Sequence, residues 1–88
     1  MEIKVDLISD TGTRPSQDMR RFMAEAEVGD EQLGEDPSVN RLCRMAAEML
    51  GKDEAIYLPS GLMANQISFA VHTKQGDEII MDQTAHPI

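Results

Sequence analysis

Tryptophan is absent from this 88-residue sequence, and aromatic side chains supply only 3% of it. Seven methionines take over part of the apolar role, and Met fills irregular gaps better than it specifies one packing. Apolar content is still 41%, which suits a globular segment and excludes a disordered tail. Cysteine occurs once, as Cys43, so no internal disulfide can form; that fits a reducing compartment. Basic residues are few: eight against sixteen acids, a formal charge of −8, with only Arg20 and Arg21 adjacent. Nucleic acids and anionic membranes are held by clustered Lys and Arg, so neither is expected as a partner. Nothing in the sequence approaches the ~20 apolar residues of a membrane span. The opening Met1-Glu2-Ile3-Lys4-Val5-Asp6 carries charge where a signal peptide has an apolar run. The expected location is the cytoplasm. No repeat, low-complexity tract or metal site is expected.

What is present reads as the beginning of an α/β fold. In a first stretch, residues 1–15, Ile3, Val5 and Leu7 alternate with Lys4 and Asp6, the period of an extended arm or strand. A polar loop follows over 9–15. The second stretch, 16–51, predicts two amphipathic helices. Ser16 caps the first, with Asp18 in its first turn and Met19, Phe22, Met23 and Ala26 on one face; Gly29 is its expected stop. Asp36-Pro37 opens the second, with Val39, Leu42, Cys43, Ala46, Met49 and Leu50 on one face and Gly51 at its end. In that setting Cys43 reads as a small hydrophobe. The third stretch, 52–88, spells strand (55–58), turn, helix, turn (74–77), strand (78–82) and a loop that reaches His86. Strand, helix, strand is one crossover unit. A parallel sheet needs more strands than these two, and helices on both faces, so the sheet is expected to be incomplete and the chain to be a truncated part of a longer one.

Chemistry points to the join between the first expected strand and its helix. Ser60-Gly61 stands where a helix N-terminus offers unpaired N–H groups and the positive end of its dipole, which together favour an anion. Glycine lets a ligand approach the backbone, and the Ser60 hydroxyl can donate. Read alone, the same pair also serves as a plain capping turn. His86, just past the second expected strand, lies where α/β folds place ligands, or is a surface loop residue.

The chain resembles the low-specificity threonine aldolases, fold-type-I pyridoxal-phosphate enzymes of the β-eliminating lyase group. The resemblance rests on Ser9-Asp10-Thr11, Thr13-Arg14-Pro15, Val28-Gly29-Asp30 and Gly34-Glu35-Asp36-Pro37-Ser38-Val39-Asn40, in order and spacing. It continues through Gly51-Lys52, Leu58-Pro59-Ser60-Gly61, Met63-Ala64-Asn65-Gln66, Gly76-Asp77-Glu78 and Ala85-His86. It implies that residues 52–88 begin a pyridoxal 5'-phosphate domain. Ser60, Gly61 and the backbone of Leu62 would hold the cofactor phosphate. His86 would lie over the pyridine ring or near the substrate hydroxyl, as a cofactor-binding and catalytic residue, and Ser9 would help hold the substrate carboxylate. The implied reaction is aldol cleavage of threonine or allo-threonine to glycine and acetaldehyde, by a homodimer or homotetramer. None of Lys4, Lys52 and Lys74 matches the family's Schiff-base lysine, so the 88-residue chain alone is expected to be inactive.

Four positions depart from the family pattern: Leu62 for Thr, Leu33 for Tyr, Ile8 for Arg and Gly12 for Val. Two alternatives follow. One is a different lyase or a transaminase-like enzyme of the same fold; the other is a non-catalytic piece that only associates with a partner chain.

Overall fold

A computed structural model describes residues 4–86 of the chain. It divides into two units, Met1–Arg41 and Leu42–Ile88. Three α-helices form among the described residues: α1, Gln17–Glu25; α2, Pro37–Leu50, which runs across the division; and α3, Gly61–His72. Short 3-10 turns occupy Asp10–Gly12 and Glu31–Leu33.

Each helix start is set by a short polar side chain three residues upstream of an orphan N–H. Ser16 Oγ accepts from the Met19 N–H at 3.2 Å, Asp36 Oδ1 from Val39 at 3.0 Å and Ser60 Oγ from Met63 at 3.1 Å. All three starts agree with the sequence expectation, because capping is a local contest that the capping residue wins by itself. The end of α2 also agrees. Gly51 takes φ +63°, the Lys52 N–H reaches the Ala47 carbonyl at 2.9 Å, and the Gly51 N–H reaches Glu48 at 3.2 Å. That double closure is a Schellman motif, and it needs a residue at ease in the left-handed region.

The end of α1 does not agree. The helix stops at Glu25, and Ala26 turns extended, three residues before Gly29. Gly29 serves a different purpose. A Cβ built on it would lie 2.3 Å from the Glu35 carbonyl oxygen and 2.6 Å from the Glu35 carbon. The chain therefore returns on itself over 29–36 so closely that only hydrogen fits. Around that crossing the Gly29 N–H donates to Asp36 Oδ2 at 3.2 Å and the Glu35 N–H to the Asp30 carbonyl at 2.9 Å. Gly34 sits at φ +71°, and its carbonyl accepts from Asn40 Nδ2 at 2.8 Å. Asp36 thus has two duties, capping α2 with one oxygen and tying back Gly29 with the other.

The N–H groups of Val39, then Gly29, and more weakly Ser38, hold the Asp36 carboxyl below the usual carboxylate range, against a smaller opposing effect of burial. The sign follows. A carboxyl with a depressed folded pKa stabilises in full above its unfolded value, ~3.9, and the contribution is lost as pH falls through the folded value. Protection of the Gly29 and Val39 amides, taken relative to their intrinsic exchange at each pH, is expected to hold from neutral pH down to about that unfolded value, then to fall in stronger acid. In Asp36→Asn the acid step should vanish and Gly29 should exchange fast throughout. An unchanged acid profile in that variant would remove Asp36 from the closure.

In the second unit the strand expectations are corrected. Neither 55–58 nor 78–82 is a strand, and the helix between them is the only regular element of the expected strand–helix–strand unit among the described residues. Residues 4–7 of the expected arm are not a strand either, while Ile3 lies outside the described residues. A strand exists through its ladder, and an apolar run without a neighbour to pair with has no means of holding one. The side chains say the same: Ile80 is fully exposed at 101% and Ile56 is largely exposed. The core is correspondingly small. Ala47 is the one buried hydrophobe among the described residues, at 7% exposure, flanked on α2 by half-buried Cys43 and Ala46, whereas Met49 and Leu50 of the expected face are exposed. The turn at 74–77 forms as expected, with Asp77 N–H to the Lys74 carbonyl at 3.0 Å and Gly76 at φ +98°.

Candidate functional site

Ser60, Gly61 and Leu62 stand together at the start of α3. Ser60 is extended, at φ −147° and ψ 151°, so its hydroxyl turns back over the first turn and accepts from Met63 while its carbonyl accepts from the Ala64 N–H at 3.2 Å. Those two bonds leave Gly61 and Leu62 as the helix residues whose N–H groups have no acceptor among the described residues. The Ser60 oxygen is used as an acceptor, but its proton is not, since a hydroxyl can accept and donate at once. Nothing lies within 4 Å of where a Gly61 Cβ would stand. The result is a small open cradle with two N–H donors, one hydroxyl donor and the positive end of a three-turn helix dipole. Such a set suits an anion with several oxygens, as a phosphate monoester has.

This cradle opens on an apolar cleft of about 360 Å³, walled by Leu42 and Ala46 of α2, by Ile56 and Tyr57, and by Ala64 of α3, with Ser60 and Gly61 at its rim. The cleft is within the range of small-molecule sites, apolar walls with a few convergent polar groups. The side chain of Leu62 carries no hydrogen-bond donor, so the only donor at that position is its N–H.

His86 is exposed and follows a turn at 82–85. Asp82 organises that turn. Its Oδ1 accepts from the Thr84 N–H at 2.7 Å and also from the Thr84 hydroxyl, and its carbonyl accepts from the Ala85 N–H at 3.0 Å. The Thr84 hydroxyl first, and the Thr84 N–H second, hold the Asp82 carboxyl below its ordinary value. The apolar run before it makes Asp82 read from sequence as the last residue of a strand. The signal was there in Asp82 two residues before Thr84, the spacing of an Asx turn. His86 is not among the residues that wall the cleft.

Ser9 lies in the first unit. Its Oγ accepts from the Thr11 N–H at 3.3 Å and contacts the Thr11 hydroxyl at 2.8 Å, capping the turn Asp10–Gly12. Asp18 and Arg21, 3.9 Å apart, form the one ion pair among the described residues, and Arg14 is not in it. Both partners are exposed, so the pair adds little. No group of three or more metal-ligating side chains occurs among the described residues, and no helix there is long and apolar enough to cross a membrane.

Comparison with known proteins agrees with the sequence motifs. The family model for beta-eliminating lyases matches residues 6–88. The low specificity L-threonine aldolase of Escherichia coli is 49% identical over 82 residues, which cover 93% of this chain and 25% of that protein. The probable low-specificity L-threonine aldolase 2 of Arabidopsis thaliana is 48% identical over 83 residues, covering 93% and 23%. The low specificity L-threonine aldolase of Saccharomyces cerevisiae is 39% identical over 82 residues, covering 92% and 21%. The chain thus spans about a quarter or less of the length of these relatives.

Proposed function

This chain belongs to the beta-eliminating lyase family, and from that premise we propose that it is the N-terminal part of a pyridoxal-phosphate enzyme that cleaves threonine or allo-threonine to glycine and acetaldehyde. The observation that carries the proposal is the cradle at the start of α3: two N–H groups without acceptors beside a glycine whose Cβ position is open. These residues fit a phosphate ester, and the apolar cleft beside them fits a flat ring.

In this reading Ser60, Gly61 and Leu62 bind the phosphate through the Ser60 hydroxyl and the two N–H groups. Pyridoxal phosphate, when bound, supplies an electron sink for breaking the Cα–Cβ bond of an amino acid. His86 orients the ring and moves the proton of the substrate β-hydroxyl, directly or through a water. Ser9 helps hold the substrate carboxylate. Residues 1–15 form the arm and loop, 16–51 the two helices, and 52–88 the beginning of the cofactor domain, whose sheet is completed by later strands. A lysine beyond residue 88 holds the cofactor, and the enzyme acts in the cytoplasm as a homodimer or homotetramer. Alone, the 88 residues are inactive.

The test is acetaldehyde release from L-threonine and L-allo-threonine by the complete protein, followed with a coupled alcohol dehydrogenase. Saturable release that depends on added pyridoxal phosphate is expected. No release from either substrate would sink the proposal. Leu33 and Leu62, where the resemblance implies Tyr and Thr, favour as a second reading another lyase of the same fold, which would turn over a different amino acid in the same assay with product detection changed.

His86→Ala in the complete protein is expected to lower kcat on the order of 10²-fold, the low end of what a positioned acid or base contributes. Melting should be unchanged, because His86 is exposed and makes no hydrogen bond among the described residues. Kinetics equal to the parent protein would return His86 to an ordinary loop residue.

A further inference from the structure

We propose that Asp82 is a positioning residue for His86: its carboxylate ties down the 82–85 turn from which His86 leads off, and so fixes where the imidazole stands. The proposal rests on the role given to His86 above.

Three contacts carry it. One carboxylate oxygen of Asp82 takes both the main-chain N–H and the hydroxyl of Thr84, and the Asp82 carbonyl takes the Ala85 N–H. Together they fix the backbone of the two residues that precede His86, and Ala85 is half-buried, so the turn is seated as well as closed. From the other side, the sequence places Pro87 directly after His86, and the proline ring narrows the backbone conformations open to the residue before it by disfavouring the helical region. His86 itself is held by no hydrogen bond among the described residues. Its position is therefore set by its two flanks, and of those only the Asp82 side depends on a removable side chain.

Removing the carboxylate returns the Thr84 N–H and hydroxyl to water and frees the turn, letting His86 wander by an ångström or more. A misplacement of that size lowers turnover by about 10- to 100-fold while leaving substrate binding nearly intact. Asparagine keeps an oxygen acceptor at the same place, so it should preserve the turn without the charge. That comparison separates positioning from a direct electrostatic effect.

The experiment is a double-mutant cycle in the complete protein, with Asp82→Ala, Asp82→Asn, His86→Ala and the double variant Asp82→Ala/His86→Ala. It reads kcat and KM on L-threonine, the visible circular dichroism of bound pyridoxal phosphate, and amide exchange at Thr84 and Ala85. Expected are a kcat loss of about tenfold or more in Asp82→Ala with KM nearly unchanged, a changed dichroic band, and faster exchange at both amides. Asp82→Asn should restore most of the loss, and Asp82→Ala should have no further effect once His86 is alanine, since residues that act through one another are not additive. An impaired His86→Ala beside an unimpaired Asp82→Ala would overturn the positioning role alone. Asparagine as damaging as alanine would overturn it in favour of charge, and additive losses would overturn it because Asp82 then acts elsewhere. An unimpaired His86→Ala would instead overturn the role given to His86, and this proposal with it.

Discussion

Valine in place of Gly61 is expected to raise the dissociation constant of pyridoxal phosphate from the complete protein on the order of 10²-fold or more, with folding unchanged. The magnitude follows from the two N–H groups at the start of α3. A hydrogen bond to a charged acceptor contributes ~1.5–3 kcal/mol, and ~1.4 kcal/mol is one decade in affinity. Losing both donors to a phosphate that can no longer approach is therefore two decades or more. The folding half of the expectation rests on the open space around Gly61. No atom lies within 4 Å of the Cβ position, and Gly61 does not sit in the left-handed region. The first side-chain carbon of valine therefore has room there, and valine is a better helix residue than glycine. Any loss must arise from the ligand side. Alanine at the same position should give a smaller loss, because a methyl group blocks less of the approach. Equilibrium dialysis of pyridoxal phosphate against the three proteins, with thermal unfolding alongside, reads both halves. Parental affinity in Gly61→Val would withdraw the phosphate assignment.

Gly29→Ala is expected to be the most damaging single methyl group that can be added to a glycine of this chain. The Cβ would sit 2.3 Å from the Glu35 oxygen and 2.6 Å from its carbon. Both are backbone atoms, so no rotamer change relieves the clash. The loop has to open, and opening breaks the Gly29 tie to Asp36 and the Glu35 bond to Asp30. A destabilisation of about 2–3 kcal/mol is expected, at the upper end of overpacking effects. Two other glycines calibrate it. Gly34→Ala meets no atom but holds a side chain at φ +71°, worth roughly 1–2 kcal/mol of backbone strain. Gly12→Ala has open space and no positive φ, and should be silent. Chemical denaturation together with amide exchange at Glu35 gives the order Gly29 above Gly34 above Gly12. A Gly29→Ala variant as stable as Gly12→Ala would show that the chain does not cross itself there.

The helix starts and the end of α2 were legible in the amino-acid sequence because each is decided within a few residues. Ser16, Asp36 and Ser60 need only an N–H three positions on, and Gly51 only the carbonyls of the turn before it. The family was legible for a related reason, since motifs kept in order and spacing need no coordinates to be compared. The cradle at Ser60-Gly61 was half legible. The position of the turn was in the sequence, but that its Cβ space is open and its two N–H groups lack acceptors are facts about surroundings. Three matters were decided only by the tertiary structure. The 55–58 and 78–82 segments have the apolar content of strands, yet pairing is a relation between distant segments, and no ladder partner lies beside them among the described residues. Gly29 looked like a helix stop, whereas its role comes from Glu35, which reaches it only once the loop has closed. Asp36 reads as a helix cap, and it also holds the Gly29 N–H, seven residues away, which only the folded loop brings within reach. Local geometry is written in neighbouring residues, while pairing, close approach and shared acceptors come from the three-dimensional path of the chain.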